Sequence, residues 1–330
     1  TGLLTALADA ALTAALAVAL AGVYGESDVD SRLAVMAMGK CGAGELNYIS
    51  DVDVIFVAEP PSPRATRAAG EFMRIGSAAF FEVDANLRPE GKSGALLRTL
   101  DSHVAYYQRW AETWEFQALL KARPMTGYLP LAQAYLEALA PMVWTASQRD
   151  SFVDDVQAMR RRVLDNVPEN LRTRELKLGV GGLRDVEFAV QLLQLVHGRS
   201  DDTLRTLATV EALQALVDGG YVGREDGQQL IEAYEFLRLL EHRLQLHRLR
   251  RTHTLPADED EKNLTWLART SGFAAEGKKS ATEVMQNHLR KIRLRISDLH
   301  SRLFYRPLLH TVVNLSVDEL TLSPEAAKIQ

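Results

Sequence analysis

A chain of 330 residues with 47% hydrophobic and 25% charged residues has the composition of a folded globular protein, which excludes disorder, collagen-like repeats and coiled-coil monotony. Its length favours two domains over one. With 38 Lys+Arg against 43 Asp+Glu the formal net charge is −5, so the overall basic field of a nucleic-acid binder is missing, and the single cysteine, Cys41, permits no internal disulfide and points to a reducing, cytoplasmic compartment.

In chain order, residues 2–22 are rich enough in Ala and Leu to raise the question of a signal peptide or a membrane span. The segment lacks a positively charged start, carries Asp9 and draws little hydrophobic drive from its alanines, so a buried helix is expected and no membrane partner. The first residue is Thr1 and not methionine, as in a piece of a longer polypeptide. Residues 33–38 (LAVMAM) and 52–57 (VDVIFV) predict neighbouring buried strands, separated by a glycine-punctuated loop over 39–50. Prolines 60, 61 and 63 stop the second strand, a helix is predicted over 65–80, a third strand over 81–87 (FEVDANL), and a tight polar loop over 88–94. Residues 1–100 thus form an N-terminal helix plus a small mixed α/β unit.

After Asp101, a helix N-cap, strand signals nearly vanish and amphipathic patterns predict helices over about 101–122, 129–140, 148–165, 183–197, 203–217, 224–251, 261–270 and 280–304. Breaks fall at Pro124, Pro168, Gly179–Gly182, Gly219-Gly220 and Pro256. The expected class is α+β: a small sheet unit followed by a mostly helical domain over 101–330, of which 101–165 packs on the sheet unit and 166–330 forms a bundle. No fixed-period repeat supports a solenoid.

The chemistry concentrates in the first unit. Asp51 and Asp53 stand two apart at the start of a predicted strand, and a period of two sends both carboxylates to one face. Magnesium takes oxygen ligands and is usually held by one or two carboxylates plus phosphate oxygens. Asp84 sits on the predicted third strand; if that strand pairs with the second, three carboxylates converge and could hold two cations ~3.5–4 Å apart for in-line displacement at phosphorus. Gly39, Gly42 and Gly44 permit close backbone approach to an anion, Lys40 adds a point charge and Ser50 a hydroxyl. The P-loop pattern and the dinucleotide Gly-x-Gly-x-x-Gly pattern are both missing from this strand–turn segment.

Four blocks carry a family resemblance: residues 38–53 (MGKCGAGELNYISDVD), 83–94 (VDANLRPEGKSG), 114–123 (WEFQALLKAR) and 177–188 (KLGVGGLRDVEF). They resemble the nucleotidyltransferase halves of glutamine synthetase adenylyltransferases, bifunctional enzymes that add AMP to glutamine synthetase and remove it. The resemblance implies a nucleotidyltransferase-type sheet unit. Residues 234–245 (YEFLRLLEHRLQ), 252–256 (THTLP) and 304–309 (FYRPLL) look like the N-terminal, adenylyl-removing half. That half implies phosphorolysis, in which inorganic phosphate attacks the tyrosine-linked AMP and releases ADP. The implied partners are adenylylated glutamine synthetase, inorganic phosphate, the ADP/AMP moiety and a PII signal-transduction protein, with Mg2+ as cofactor and no nucleic acid. The alternatives are the ATP-dependent adenylyl-adding half and, from another class, a regulatory module sensing PII or glutamine.

By position the resemblance makes Asp51, Asp53 and Asp84 metal-binding, and Gly39, Lys40 and Ser50 the nucleotide loop. Arg88, Lys92 and Ser93 read either as phosphate contacts or, for Arg88, as a brace of the Asp cluster. Cys41 and Asn86 depart from the family pattern, where an apolar residue and an arginine are common. Asp185 and Glu187 read equally as helix caps and as groups reaching the metals or the phosphate, and Arg184 as a phosphate contact. Arg243, Arg248, Arg250 and Arg251 with His242 and His247 read as a solvated helical face, and Trp110 and Trp114, four apart, as core anchors on one helix.

Overall fold

The computed structural model describes residues 1–313, with side chains through Leu303; the side chains of 304–309, part of the resemblance above, lie outside the described residues. The sheet grows from two apolar strands, β1 (Arg32–Ala37) and β2 (Val52–Glu59), paired antiparallel from Arg32–Glu59 to Ala37–Val54. Both are buried on both faces, which explains their continuous apolar runs. β3 (Val83–Asp84) and β4 (Leu97–Arg98) pair parallel with β2 near its start and its middle, and β5 (Arg123–Gly127) pairs antiparallel with β1. The order is β3-β2-β1-β5, with β4 also on β2. Five short strands in a largely helical chain give an α+β fold.

One sheet face is covered by α1 (Gly2–Tyr24) and α3 (Pro63–Ala79), with Leu12, Leu16, Phe72 and Ala68 packed on Val35, Val54 and Phe56. α1 is long and apolar enough to cross a membrane by length and composition, yet its Ala8, Leu12, Ala15 and Ala19 stripe is part of this core. The helix expected over 65–80 begins two residues earlier, where Ser62 caps it by accepting from the Ala65 N–H.

The other face packs against α4 (Leu100–Arg109), α5 (Thr113–Leu119), α6 (Leu129–Thr145) and α7 (Phe152–Asp165), around Met36, Ile55, Tyr135 and Phe152. Here the sequence expectation is corrected. The helix expected over 101–122 is two helices, broken at Trp110, and is followed by β5, which the Arg-Pro-Met-Thr-Gly sequence does not advertise; the third strand shrinks to two residues. The sheet unit therefore continues past residue 101. Trp110 is 75% exposed and Trp114 lies on the wall of a cleft, so neither is a core anchor.

The rest is a helical unit of α8 (Leu183–His197), α9 (Thr209–Asp218), α10 (Arg224–Arg248), α11 (Glu261–Thr270) and α12 (Ala281–Val313), with its own core. α8 is buried almost all round: Leu183, Val186, Val190 and Leu193 face that core, while Phe188, Leu192 and Leu195 enter the core under the sheet.

Candidate functional site

The turn after β1 begins with a one-turn helix, α2 (Gly39–Gly42), and runs on to Asp51. Two glycines set its shape for different reasons. Gly39 has φ +54, and a Cβ there would sit 2.3 Å from Asp53 Oδ2, so only glycine lets the Asp53 carboxylate lie against the turn. Gly42 has an ordinary φ, but a Cβ would meet the Lys121 carbonyl oxygen at 1.8 Å. Gly42 is thus a packing position rather than part of an anion cradle.

β2 and β3 pair in register at Asp53 and Asp84. The three carboxylates of Asp51, Asp53 and Asp84 each offer an oxygen within 4.8 Å of the others, and all three side chains are half-buried. Among the described residues no other group of acids, histidines and cysteine converges this way. Asn86 fixes Asp84 through its N–H (2.6 Å) and side-chain amide (2.8 Å), and Arg251 reaches Asp51 Oδ2 at 2.7 Å. The Asp53 carboxylate accepts no hydrogen bond from the described residues. Burial, then the charges of Asp51 and Asp84, push its carboxyl up to about 7. A carboxylate with bare oxygens between two others suits a hard divalent cation.

Asp51 and Asp53 of this cluster line a cleft of about 440 Å³ between the sheet unit and the helical unit. Its polar wall includes Gly39, Lys40, Ser50, Lys177, Arg184 and Glu187; its apolar wall includes Leu87, Trp114, Met159 and Phe188. Glu187, on α8, receives Lys40 Nζ at 2.6 Å, lies 3.6 Å from an Arg184 nitrogen, and meets the Tyr234 hydroxyl at 3.4 Å. Burial raises the Glu187 carboxyl, but Lys40, Arg184, Lys121 and Lys177 outweigh it and hold it well below the usual carboxylate range. Ser50 Oγ donates to the Asp51 carbonyl at 2.9 Å.

Other predicted residues fall elsewhere. Arg88 donates to the carbonyls of Gly94 (3.1 Å), Ala85 (2.8 Å) and Lys92 (3.0 Å), so its guanidinium braces the 85–94 loop, and it does not line the cleft. Lys92 and Ser93 are exposed and do not line the cleft. Asp185 pairs with Arg160 and accepts the Gly181 N–H at 2.8 Å, the structural alternative. The solvated-face reading fails for three residues. Arg251 lines the cleft; His242 lies 3.2 Å from Asn47 Oδ1 with its ring edge-on to Tyr48; and His247 packs on Trp266, ring centroids 3.9 Å apart. Cys41 is buried and its thiol is pushed up to about 12, by burial and then by Asp9, so it is no nucleophile.

Sequence reasoning missed Lys177, His253 and Arg251 as cleft residues. Lys177 opens one of the four motif blocks and His253 stands in the 252–256 stretch, which was their available signal. Loop and helical unit are fastened by buried polar contacts. Lys121 bonds Glu45 and Thr209, each at 3.0 Å, Arg238 bonds the Glu45 carbonyl at 2.6 Å and pairs with Asn47 and Glu241, and the Ile49 N–H donates to Gln245 at 3.1 Å.

Residues 1–138 match the family model described as glutamate-ammonia ligase adenylyltransferase, and residues 157–304 the model described as GlnD PII-uridylyltransferase. The chain is similar to proteins named bifunctional glutamine synthetase adenylyltransferase/adenylyl-removing enzyme. It is 74% identical to that of Corynebacterium efficiens over 327 residues, 99% of this chain and 31% of the relative. It is 72% identical to that of Corynebacterium glutamicum, with the same shares, and 64% identical to that of Nocardia farcinica, over 98% of this chain and 32% of the relative. The chain thus spans about a third of the length of the curated relatives it matches.

Proposed function

The chain belongs to the family of bifunctional glutamine synthetase adenylyltransferase/adenylyl-removing enzymes, and on that premise we propose that it is the adenylyl-removing unit, which transfers AMP from the modified tyrosine of glutamine synthetase to inorganic phosphate. The observation that carries this reading is the convergence of Asp51, Asp53 and Asp84 at a cleft that is also lined by Lys40, Lys177, Arg184 and Arg251. Bound divalent cations, expected to be magnesium, would be held by these three carboxylates and would neutralise charge on the adenylyl phosphate. The protein's own residues do the rest. Lys40, fixed by Glu187, stands at the turn before the triad, and Arg184 from α8 faces the same cleft. The apolar wall of Leu87, Trp114, Met159 and Phe188 offers the nonpolar surface on which the adenine ring would rest.

The choice of the removing half is supported by the 234–245 and 252–256 stretches, which supply Tyr234 to Glu187 and, through His253 on the cleft wall, the Glu241–His253 pair. The working compartment is the cytoplasm, in keeping with one buried, unbridged cysteine, and PII signalling protein is a further partner. Incubating adenylylated glutamine synthetase with the chain, Mg2+ and phosphate should yield ADP, and the Asp51→Asn/Asp53→Asn double variant should yield none while keeping its circular dichroism. Pyrophosphate released from ATP with unmodified synthetase would instead identify the adding half. Turnover unchanged in the double variant, with a PII interaction retained, would leave only a regulatory module.

A further inference from the structure

Counting charges around the cleft separates the cations that are spent from those that are not. Lys121 is taken by Glu45 and Thr209, Lys40 by Glu187 and Arg251 by Asp51. The Lys177 ammonium makes no hydrogen bond or ion pair with the described residues, only the backbone N–H and carbonyl being taken, by Glu175 and Arg184, although the side chain is half-buried on the cleft wall. Arg184 is only loosely held: one nitrogen lies 3.6 Å from Glu187, the guanidinium stacks 5.2 Å from the Phe188 ring centre, and its buried Nε has no partner. Unmatched buried donors cost free energy, and an ammonium more than an amide. Burial and then the neighbouring Arg184 and Lys40 charges pull Lys177 down to about 8, a loss of proton affinity that an arriving anion would reverse.

We propose that Lys177 and Arg184, carried by the segment that enters α8, form the subsite for the attacking inorganic phosphate, in the cleft that Asp51 and Asp53 also line. The assignment rests on the phosphorolytic reading above. The chemistry fits a doubly charged tetrahedral oxyanion: Lys177 offers three donors from a point charge and Arg184 a planar fork. An oxygen of hydrogen phosphate bonds to the adenylyl phosphorus, the bond from phosphorus to the tyrosine oxygen breaks, and the proton of the phosphate passes to the leaving phenolate. The products are ADP and the free tyrosine. Holding phosphate on two cations gives it an effective concentration that water, which carries no charge, does not gain there.

The test titrates inorganic phosphate calorimetrically into the Mg2+-loaded full chain and into its Lys177→Met, Lys177→Arg and Arg184→Gln variants, each checked for native circular dichroism. Phosphate affinity should fall at least tenfold in Lys177→Met and in Arg184→Gln, and stay within about threefold in Lys177→Arg. In turnover the KM for phosphate should rise by the same factors, with the KM for adenylylated synthetase unchanged. Wild-type phosphate affinity in both Lys177→Met and Arg184→Gln, alongside ADP release by the wild type, overturns the subsite and leaves the phosphorolytic reading standing. Release of AMP instead of ADP by the wild type overturns that reading, and with it the role of the bound phosphate as nucleophile.

Discussion

Asp53 bears the strongest unfavourable electrostatics in the cleft, because its half-buried carboxylate lies beside Asp51 and Asp84 and accepts no hydrogen bond from the described residues. Its folded pKa, about 7, lies above its unfolded value near 4, so the stability it contributes is fully present below pH ~4 and is lost as pH rises through ~7. In a chelator at pH 8, Asp53→Asn should therefore be more stable than the wild type by about 2–4 kcal/mol, a gap that closes as the pH falls towards 4. Saturating Mg2+ should reverse the order, since only the wild type keeps three carboxylates to bind it. Urea unfolding at both pH values, with and without Mg2+, measures all four quantities; a wild type that outlasts the variant at pH 8 without metal would refute the account. This trio was legible in the sequence because a spacing of two fixes a shared face and a second strand could deliver Asp84. Arg251 was not: its partner Asp51 lies two hundred residues away, and no local pattern encodes a contact that only the docking of the helical unit creates.

Among elements, the turn from β1 to β2 does the most, since it carries the nucleotide-loop residues on one side and receives α9 and α10 on the other. Gly42→Ala drives a methyl into the Lys121 carbonyl, backbone against backbone, and should destabilise by about 3 kcal/mol or more while displacing Lys40. Arg238→Met should be equally severe by another route. It strips Glu241, fully buried, of its guanidinium partner and leaves Asn47 and the Glu45 carbonyl short of a donor, at a cost of about 3–5 kcal/mol. Midpoints of urea unfolding with unchanged slope would give both values; a loss below 1 kcal/mol in either would show that the seam relaxes around the change. Strong periodicity made α8 and α11 readable to the residue, and alternation-free apolar runs placed β1 and β2 to within one or two residues at each end. β5 escaped because Pro124 and Gly127 look like a break. As an edge strand it tolerates the proline where its register with β1 shifts, between Val35 and Met36. The helix spanning both tryptophans failed for a related reason: α4 ends at Arg109, so a spacing of four there describes no helical face.

For the molecule as a whole, α8 decides whether the two units are separable. Phe188, Leu192 and Leu195 fill the core under the sheet while the opposite side of the same helix fills the bundle, and Gln117–Gln191 (2.6 Å) and Lys121–Thr209 (3.0 Å) add polar ties. Burying three large apolar side chains contributes roughly 1.5–3 kcal/mol each, so the helix supplies the sheet unit with about 5–9 kcal/mol, comparable to the entire stability of many domains. A boundary near residue 165 therefore marks a change in architecture and not an independent folding unit. The chain should unfold in one transition, with near- and far-ultraviolet circular dichroism coincident in urea. A fragment of residues 1–165 should lack a cooperative melt and bind a hydrophobic dye through the surface that α8 leaves uncovered. A sharp, dye-free melt of that fragment would mean instead that the sheet unit is autonomous. The cleft would then open by swinging α8 as a lid rather than by strain within a continuous body.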